Sequence, residues 1–234
     1  IIGTIDISTG GDGWAADGSI KSVCDLKGKT IAVEPNLPAR LILQEALRRE
    51  CDLSIRDTNL SDIAAADAIG VFASPDVAAV GTYEPVLSQV VATHTDRGAH
   101  ILVSSADYED LILDIILVHT DELAANPEKY VKFLRGIYRA IDYFNTNRAE
   151  AIPIIARQFS ITPEDFEQTL ENFRYTPYEE AVEFMGTSDQ PGRVYDIFRT
   201  TMELNLDFGS SDVELVPEDH ITTRIIEQVE EDRD

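Results

Sequence analysis

Short apolar runs alternate with longer amphipathic stretches in the first half of the chain. The runs are bounded by Gly, Pro, Asn and Asp, as is typical of strands, and the stretches between them repeat apolar residues at helical spacing. This alternation predicts a largely parallel sheet with helices on both faces. The strands predicted for this sheet are residues 30–33, 53–57, 77–81 and 100–103, and the helices are residues 37–49, 61–73 and 85–95. A separate strand is predicted at residues 1–8.

The second half of the chain has a different pattern. A run dense in Leu and Ile at residues 110–120 predicts one more strand, after which the chain reads as almost wholly helical. We therefore expect an α/β region followed by a mainly helical region. The helices predicted there are residues 130–145, 149–158, 163–173, 178–185 and 194–206.

Residues 25–38 combine a turn, a short apolar strand, a polar loop and a helix start. Asn36 is suited to cap that helix, and Pro38 suits its first turn. In α/β proteins such a loop lies at the carboxyl end of a strand, where the following helix points unpaired N–H groups at a crevice. The loop is a candidate seat for an anion or a polar headgroup, and an ordinary strand-to-helix connection is the alternative.

Three segments together give a more specific resemblance. They are DLKGKTIAVEP at residues 25–35, DVAAVGTYEP at residues 76–85 and ILVSSADYEDLILDIILVHTDEL at residues 101–123. In this order they resemble the substrate-binding proteins of bacterial ABC importers, of the nitrate, sulfonate and taurine type, which share a fold with proteins that bind thiamine-pyrimidine precursors. The resemblance implies an α/β fold of the periplasmic-binding-protein-like type II class, with two lobes and a ligand cleft at the hinge.

The resemblance also implies a domain organisation. Family members begin with further strand–helix units before the segment GTIDISTGGDG, with which this chain almost starts, so the N-terminal part of the first lobe is expected to be absent. Residues 1–22 are then expected to form a first-lobe strand and the hinge. Residues 23–104 are expected to form the second α/β lobe, and residues 105–234 the mainly helical remainder of the first lobe.

The chain is strongly acidic, with 43 Asp and Glu residues against 19 Lys and Arg residues and a formal charge of −24. This composition argues against nucleic acid as a partner, because phosphate contacts require clustered Lys and Arg. No stretch approaches the roughly 18 consecutive apolar residues of a membrane span. The resemblance implies an export signal or lipid anchor upstream, and hence a periplasmic or extracellular location.

Two cysteines, Cys24 and Cys51, flank the first strand–helix unit of the α/β region. A disulfide between them is compatible with an oxidising compartment, and two free buried thiols are the favoured alternative. With two Cys and four scattered His, the sequence has no metal-ligand spacing, and it predicts no cofactor.

Polar residues near the strand ends are the candidate ligand contacts. The resemblance implies that the glycine-rich turn, the helix start and the crossovers line the cleft. Each candidate also has an alternative role as a turn former, helix cap, hinge residue or core residue. The candidates are Ser8, Thr9 and Asp12 in the turn, Glu34, Asn36, Leu37, Pro38 and Ala39 at the helix start, Tyr83 and Glu84 after the third strand of the lobe, and Ser105 and Tyr108 at the second crossover.

The acidic candidates bear on the nature of the ligand. Glu34 and Glu84 favour an amine or a hydrogen-bonding ring nitrogen, since Arg40 is the only base close to these loops. An anion seated on the helix N-terminus is the alternative. Taurine-like zwitterions and pyrimidine-like heterocycles are both compatible with this chemistry.

The predicted function is that of the solute-binding component of an ABC-type uptake system, which binds a small organic molecule and works with a permease. A ligand-sensing domain of the same fold in a signalling protein is the alternative. An enzyme is not predicted, because the sequence contains no nucleophile elbow, zinc signature or phosphate-binding glycine loop with its lysine.

Overall fold

The structure, a computed structural model, describes residues 1–108 and 111–230. It divides into two compact units. The first contains Ile1–Ile7, Leu113–Thr200 and the chain from Leu215 onward, and the second contains Ser8–Ile112 and Thr201–Glu214.

Strands and helices alternate as far as the middle of the chain, and helices dominate after it. The strands are β1 (Gly3–Ser8), β2 (Asp12–Ala16), β3 (Thr30–Val33), β4 (Asn59–Asp62), β5 (Val77–Tyr83), β6 (His100–Ser104), β7 (Leu113–Ile116) and β8 (Phe173–Tyr175). The helices are α1 (Pro38–Cys51), α2 (Ala68–Phe72), α3 (Val86–Thr93), α4 (Thr120–Ala125), α5 (Pro127–Thr146), α6 (Arg148–Phe159), α7 (Pro163–Thr169), α8 (Tyr178–Met185), α9 (Arg193–Phe208), α10 (Pro217–His220) and α11 (Arg224–Glu230).

The second unit is built on a five-stranded sheet in the order β4-β3-β5-β2-β6. β3 runs parallel to β4 and β5, but β2 lies between β5 and β6 and is antiparallel to both. β3, β4, β5 and β6 thus share one direction, as predicted, and the antiparallel β2 among them is the feature that the pattern did not predict. The predicted segment boundaries at residues 22 and 104 also differ from the division into units, because the pairing of β2 draws residues 12–16 into the α/β unit and residues 201–214 join it from the helical half.

Alternate residues of the central strands enter two separate apolar clusters. Trp14, Ile31 and Val33 pack with α1 on one face, whereas Ala15 and Ala32 pack with Phe72, Leu87 and other residues of α2 and α3 on the opposite face. This two-residue periodicity is what a sheet covered on both faces requires. The predicted covering of both faces is confirmed.

Local capping explains where the predicted elements of this unit shifted. Residues 53–57, predicted as a strand, form a 3₁₀ turn at Ile55–Asp57, in which the Asp57 carboxylate accepts a hydrogen bond from the Ser54 backbone N–H at 3.0 Å. The strand follows two residues later as β4. The helix predicted at residues 61–73 is reduced to a 3₁₀ turn at Ala65–Asp67 followed by α2.

Cys24 and Cys51 form a disulfide with a Cα–Cα distance of 5.6 Å, and neither cysteine is free. The favoured alternative of two free thiols is therefore wrong. The bond ties a 3₁₀ turn at Val23–Leu26 to the last residue of α1.

The first unit contains a three-stranded sheet in the order β7-β1-β8 and the helices of the second half of the chain. Its core gathers Ile2 from just before β1, Leu134 and Tyr138 from α5, and Met185 from α8. The Tyr138 hydroxyl donates to the carbonyl of Thr4 at 3.1 Å, which satisfies a buried polar group between helix and strand.

Most predicted helices of the first unit occur within a few residues of their predicted ends. The helix at residues 178–185 coincides with α8, while the one predicted at residues 163–173 ends early as α7 and gives way to β8. The strand predicted at residues 110–120 is shorter and appears as β7, and Asp110 lies outside the described residues. Within residues 1–108 and 111–230, no helix combines the length and apolar character of a membrane span.

Candidate functional site

Most of the predicted ligand contacts meet at one edge of the five-stranded sheet. The pairing register places Val33 opposite Gly81, Asp12 opposite Tyr83 and Gly13 opposite Ser104. Glu34, Glu84 and Ser105 follow directly on these paired residues. We call this the carboxyl edge and define it by Asp12, Glu34, Tyr83, Glu84 and Ser105.

Ser105 organises the glycine-rich turn at this edge. Its hydroxyl oxygen lies 2.9 Å from the Ser8 hydroxyl and accepts hydrogen bonds from the backbone N–H of Gly10 at 2.8 Å and of Asp12 at 3.4 Å. The Ser8 hydroxyl donates to the Asp12 carboxylate at 2.8 Å, so Ser105 donates to Ser8. Ser105 is completely buried, and its bonds fix the turn on which Ser8, Thr9 and Asp12 lie half-buried.

The loop before α1 is held by Glu34. The Glu34 carboxylate accepts a hydrogen bond from the backbone N–H of Ala65 at 2.9 Å. The backbone carbonyl of Glu34 accepts a hydrogen bond from the N–H of Leu37 at 3.1 Å. The predicted cap by Asn36 is wrong, because Leu37 is the capping residue of α1 and makes no side-chain capping bond. Asn36 is exposed beside it, and Pro38 begins the helix as predicted.

Tyr83 is the last residue of β5 and Glu84 follows it, and their side chains have different environments. The Tyr83 side chain is 43% exposed, which excludes its alternative role as a core residue. The Glu84 backbone N–H donates to the carbonyl of Gly11 at 2.8 Å and so joins β5 to the glycine-rich turn. The Glu84 carboxylate accepts from both the hydroxyl and the backbone N–H of Ser88, at 2.7 and 3.2 Å, and thus caps the first turn of α3.

Tyr108 does not belong to the carboxyl edge. Its hydroxyl donates to the Glu50 carboxylate at 2.5 Å, and its ring lies 5.7 Å from the Arg49 guanidinium carbon, at the C-terminal end of α1. Burial, and next the hydrogen bond to Glu50, raise the pKa of Tyr108. Because α1 has 14 residues, this position is about 20 Å along the helix from Pro38. The predicted ligand contact at Tyr108 therefore lies apart from the other candidates.

Arg40, the nearest base, is committed to other partners. It is buried, and its guanidinium donates to the Asn205 side-chain oxygen at 2.9 Å and to the Ser210 hydroxyl at 2.6 Å. Burial lowers the pKa of Arg40. Its nitrogens therefore point into the contact between α1 and residues 201–214.

The other Lys and Arg residues of the second unit lie on parts of the fold away from the carboxyl edge. Arg97 donates to the carbonyl of Val77 at 2.9 Å, at the opposite end of β5. The carboxyl edge thus combines three carboxylates, from Asp12, Glu34 and Glu84, with an exposed tyrosine ring. The remaining bases precede β3 or β4 or end α1: Lys21, Lys27, Lys29, Arg48, Arg49 and Arg56.

The sequence reasoning missed two residues beneath this edge, Trp14 and Gly81. The Trp14 indole N–H donates to the carbonyl of Ala39 at 2.6 Å, and a side chain at Gly81 would lie 2.8 Å from the indole ring. The one available signal was that the only tryptophan of the chain stands in a run of small residues, DGWAA. Across the described ranges, no group of His, Cys, Asp and Glu is arranged to hold a metal ion.

Comparison with known proteins identifies related sequences. A family model described as NMT1/THI5 like matches residues 1–151. A binding protein of Brucella abortus (strain 2308) is 23% identical over 206 residues, covering 88% of this chain and 63% of the relative. The chain thus spans less than two thirds of the length of the curated relatives it matches.

Solved structures share the fold. The periplasmic aliphatic sulphonate binding protein SsuA from Escherichia coli superposes with a TM-score of 0.66 and 16% identity, over 94% of this chain and 68% of that protein. The desulfurization enzyme DszB superposes with a TM-score of 0.53 and 13% identity, over 99% of this chain and 78% of that enzyme. The predicted α/β fold of the periplasmic-binding-protein-like type II class is confirmed.

Proposed function

We propose, since this chain belongs to the NMT1/THI5-like family, that it is the solute-binding component of an ABC-type uptake system. The ligand site is the carboxyl edge of the second unit. The observation that carries this proposal is the convergence of Asp12, Glu34, Tyr83 and Glu84 at the ends of three neighbouring strands. In open α/β sheets, the crevice outside the carboxyl ends of the strands is where ligands bind.

The ligand is a small organic molecule that presents an amine or another hydrogen-bond donor to this edge. The three carboxylates favour a donor, and the basic side chain closest to them, Arg40, is occupied by Asn205 and Ser210. The exposed ring of Tyr83 supplies a flat surface for an apolar or aromatic part of the ligand. A taurine-like zwitterion fits if its sulfonate lies at the N-terminus of α1, where backbone N–H groups favour negative charge.

The partner is the permease of the importer, and the location is the periplasm or the cell exterior, with lipid anchoring as one means of retention there. The disulfide between Cys24 and Cys51 supports an exported protein, because such bonds persist in oxidising compartments and are rare in the cytosol. The family membership and the sulphonate-binding structural neighbour support the same assignment.

A thermal-shift screen tests the proposal. Taurine, ethanesulfonate, nitrate, putrescine and a hydroxymethylpyrimidine are added to the purified chain, and a compound present at 100 times its Kd should add about 2.7 kcal/mol to the free energy of unfolding. A shift with taurine, putrescine or the pyrimidine that exceeds the shifts with nitrate and ethanesulfonate supports the proposed ligand class. Absence of any shift contradicts the binding function.

The likeness to DszB makes turnover a necessary control. Each compound that shifts the melting temperature is incubated with the protein and recovered for mass spectrometry. Unchanged recovery supports a binding role, whereas catalytic conversion of the compound contradicts it.

A further inference from the structure

We propose that Trp14 is the positioning residue of the carboxyl edge: it holds the first turn of α1 against the ends of β2 and β5 and thereby sets the affinity for the ligand. This inference rests on the proposed function for its effect on binding. Its effect on the geometry of α1 can be measured without any ligand.

The contacts of Trp14 reach three elements at once. Trp14 itself lies on β2, two residues after Asp12, and pairs with Gly81 on β5 and Val103 on β6. Its indole N–H donates to the carbonyl of Ala39, in the first turn of α1. Both Trp14 and Ala39 are completely buried.

Gly81 sets the distance between the indole and β5. A Cβ atom at this position would lie 2.8 Å from two carbons of the indole ring and 2.7 Å from a methyl group of Val33. The indole therefore lies directly over the backbone of β5, two residues before Tyr83. Movement of this ring would shift α1 relative to both Asp12 and Tyr83.

The indole N–H gives Trp14 a role beyond filling the core. Any large apolar side chain could occupy the space, but the directed donor fixes the first turn of α1 on the side of the sheet, as the bonds of Arg40 to Asn205 and Ser210 fix it on the side of residues 201–214. The cap residue Leu37 makes no side-chain hydrogen bond to that turn. The indole N–H of Trp14 instead donates a hydrogen bond to the turn from outside the helix. Because the site is buried, water does not replace the indole when it is removed.

Hydrogen exchange of the whole chain tests the positioning role. In Trp14→Phe, the peptide covering residues 34–45 is expected to exchange at least ten-fold faster, while the peptide of α3 keeps its wild-type rate. Phe72→Leu is the matched control, since Phe72 is equally buried on the opposite face of the sheet. The Phe72→Leu substitution should leave the exchange rate of residues 34–45 unchanged. A uniform acceleration in Trp14→Phe, or none at residues 34–45, overturns the proposal.

A second variant keeps the shape of the side chain. Because the chain has one tryptophan, biosynthetic incorporation of β-(3-benzothienyl)alanine replaces only Trp14 and exchanges the N–H donor for a slightly larger sulfur atom that cannot donate. Faster exchange confined to residues 34–45 supports the proposal, and wild-type exchange there overturns it. This variant decides the question if Trp14→Phe does not fold.

Calorimetry with taurine tests the consequence for binding. A Kd raised at least ten-fold in the benzothienyl protein supports the proposal. An unchanged Kd overturns the claim that Trp14 sets the affinity for the ligand. If the wild-type protein binds neither taurine nor any other compound of the screen, the proposed function fails, and the exchange experiment still decides whether Trp14 positions α1.

Discussion

The guanidinium of Arg40 lies over the ring of Phe208, 4.6 Å from its centroid. This contact joins the beginning of α1 to the end of α9. Beside it, the Gln44 side-chain amide donates to the carbonyl of Leu204 at 2.8 Å, and the Ser54 hydroxyl donates to the Asp207 carboxylate at 2.7 Å. Residues 201–214 are thus an integral part of the second unit.

Phe208→Ala is expected to lower the free energy of unfolding by about 1 to 3 kcal/mol, because it removes the cation–π contact and a partly buried aromatic ring. Urea unfolding measures the change. Val213→Ala in the same segment is the control, since Val213 is 62% exposed, and it should change stability by less than about 0.5 kcal/mol. An effect of Phe208→Ala as small as that of Val213→Ala would contradict a stabilising contact between Arg40 and Phe208.

Removal of the disulfide, by the double substitution Cys24→Ser and Cys51→Ser, is expected to cost about 3 kcal/mol of stability. The bond spans a sequence separation of 27, and a loop of that size loses much of its freedom in the unfolded chain when it is closed. Urea unfolding with and without dithiothreitol measures the effect. Reductant should destabilise the wild-type protein and leave the double variant unchanged; any other pattern argues against a bond in solution.

Asp6→Asn is expected to stabilise the protein above pH 6. Burial, together with the neighbouring charge of Asp114, raises the pKa of Asp6 to about 6 in the folded chain. The folded state therefore holds the proton more tightly than the unfolded state, and stability falls as the pH rises from about 4 to about 6. After allowance for solvent screening, the variant should gain about 1 to 2 kcal/mol at pH 7.5.

The gain from Asp6→Asn should shrink as the pH falls through 6 and vanish below about pH 4. Thermal unfolding across this range measures it. Asp114→Asn is the comparison: it removes the smaller of the two causes and should give a smaller gain over the same pH range. A gain from Asp6→Asn that is independent of pH would contradict the assignment.

Gly81→Ala is expected to destabilise the protein by about 1 to 3 kcal/mol, since the new methyl group would overlap Val33 and Trp14 in a filled core. The control is Gly70→Ala in α2, where a Cβ atom meets nothing within 4 Å. Replacing glycine within a helix should there stabilise by roughly 0.5 to 1 kcal/mol. Opposite signs in a urea titration are the expected result, and a neutral Gly81→Ala would refute the close packing.

Glu84→Gln is expected to weaken ligand binding by about 1 to 3 kcal/mol while the fold is kept, because a charge-assisted hydrogen bond is lost. Ser88→Ala is the matched variant, since it removes the hydroxyl partner of the cap and leaves the carboxylate in place. If both substitutions reduce stability alike and neither changes affinity in calorimetry, Glu84 acts only as the cap of α3.

Sequence patterning was sufficient where an element has strong local signals. β3, α1 and α8 combine continuous periodicity with turn residues at their ends, and Pro38 marks the start of α1. The meeting of strand ends at the carboxyl edge also followed from the alternation of strands and helices. The bounds of these elements depend on neighbours within a few residues along the chain, and the meeting of strand ends depends on the general geometry of α/β sheets.

Features that depend on distant residues were not predictable in the same way. β2 is five residues long and follows a glycine-rich turn, so its strand character comes from pairing with Gly81 and Ser104 rather than from its own pattern. The partner of Tyr108 is Glu50, 58 residues away. The spacing of Cys24 and Cys51 allowed both thiols and a disulfide, and only the return of α1 beside residues 23–26 decides between them.

The position of β2 has a consequence for the order in which the second unit can form. β2 is made before every other strand of its sheet, yet its two neighbours, β5 and β6, end at Tyr83 and Ser104. At ordinary rates of translation, the ribosome needs roughly 5 to 20 s to pass from β2 to the end of β6. Trp14 lacks the backbone of Gly81 until β5 is made, and it lacks Val103 until β6 is made. The first strand of this sheet to be synthesised is thus the last of its interior strands to be paired on both sides.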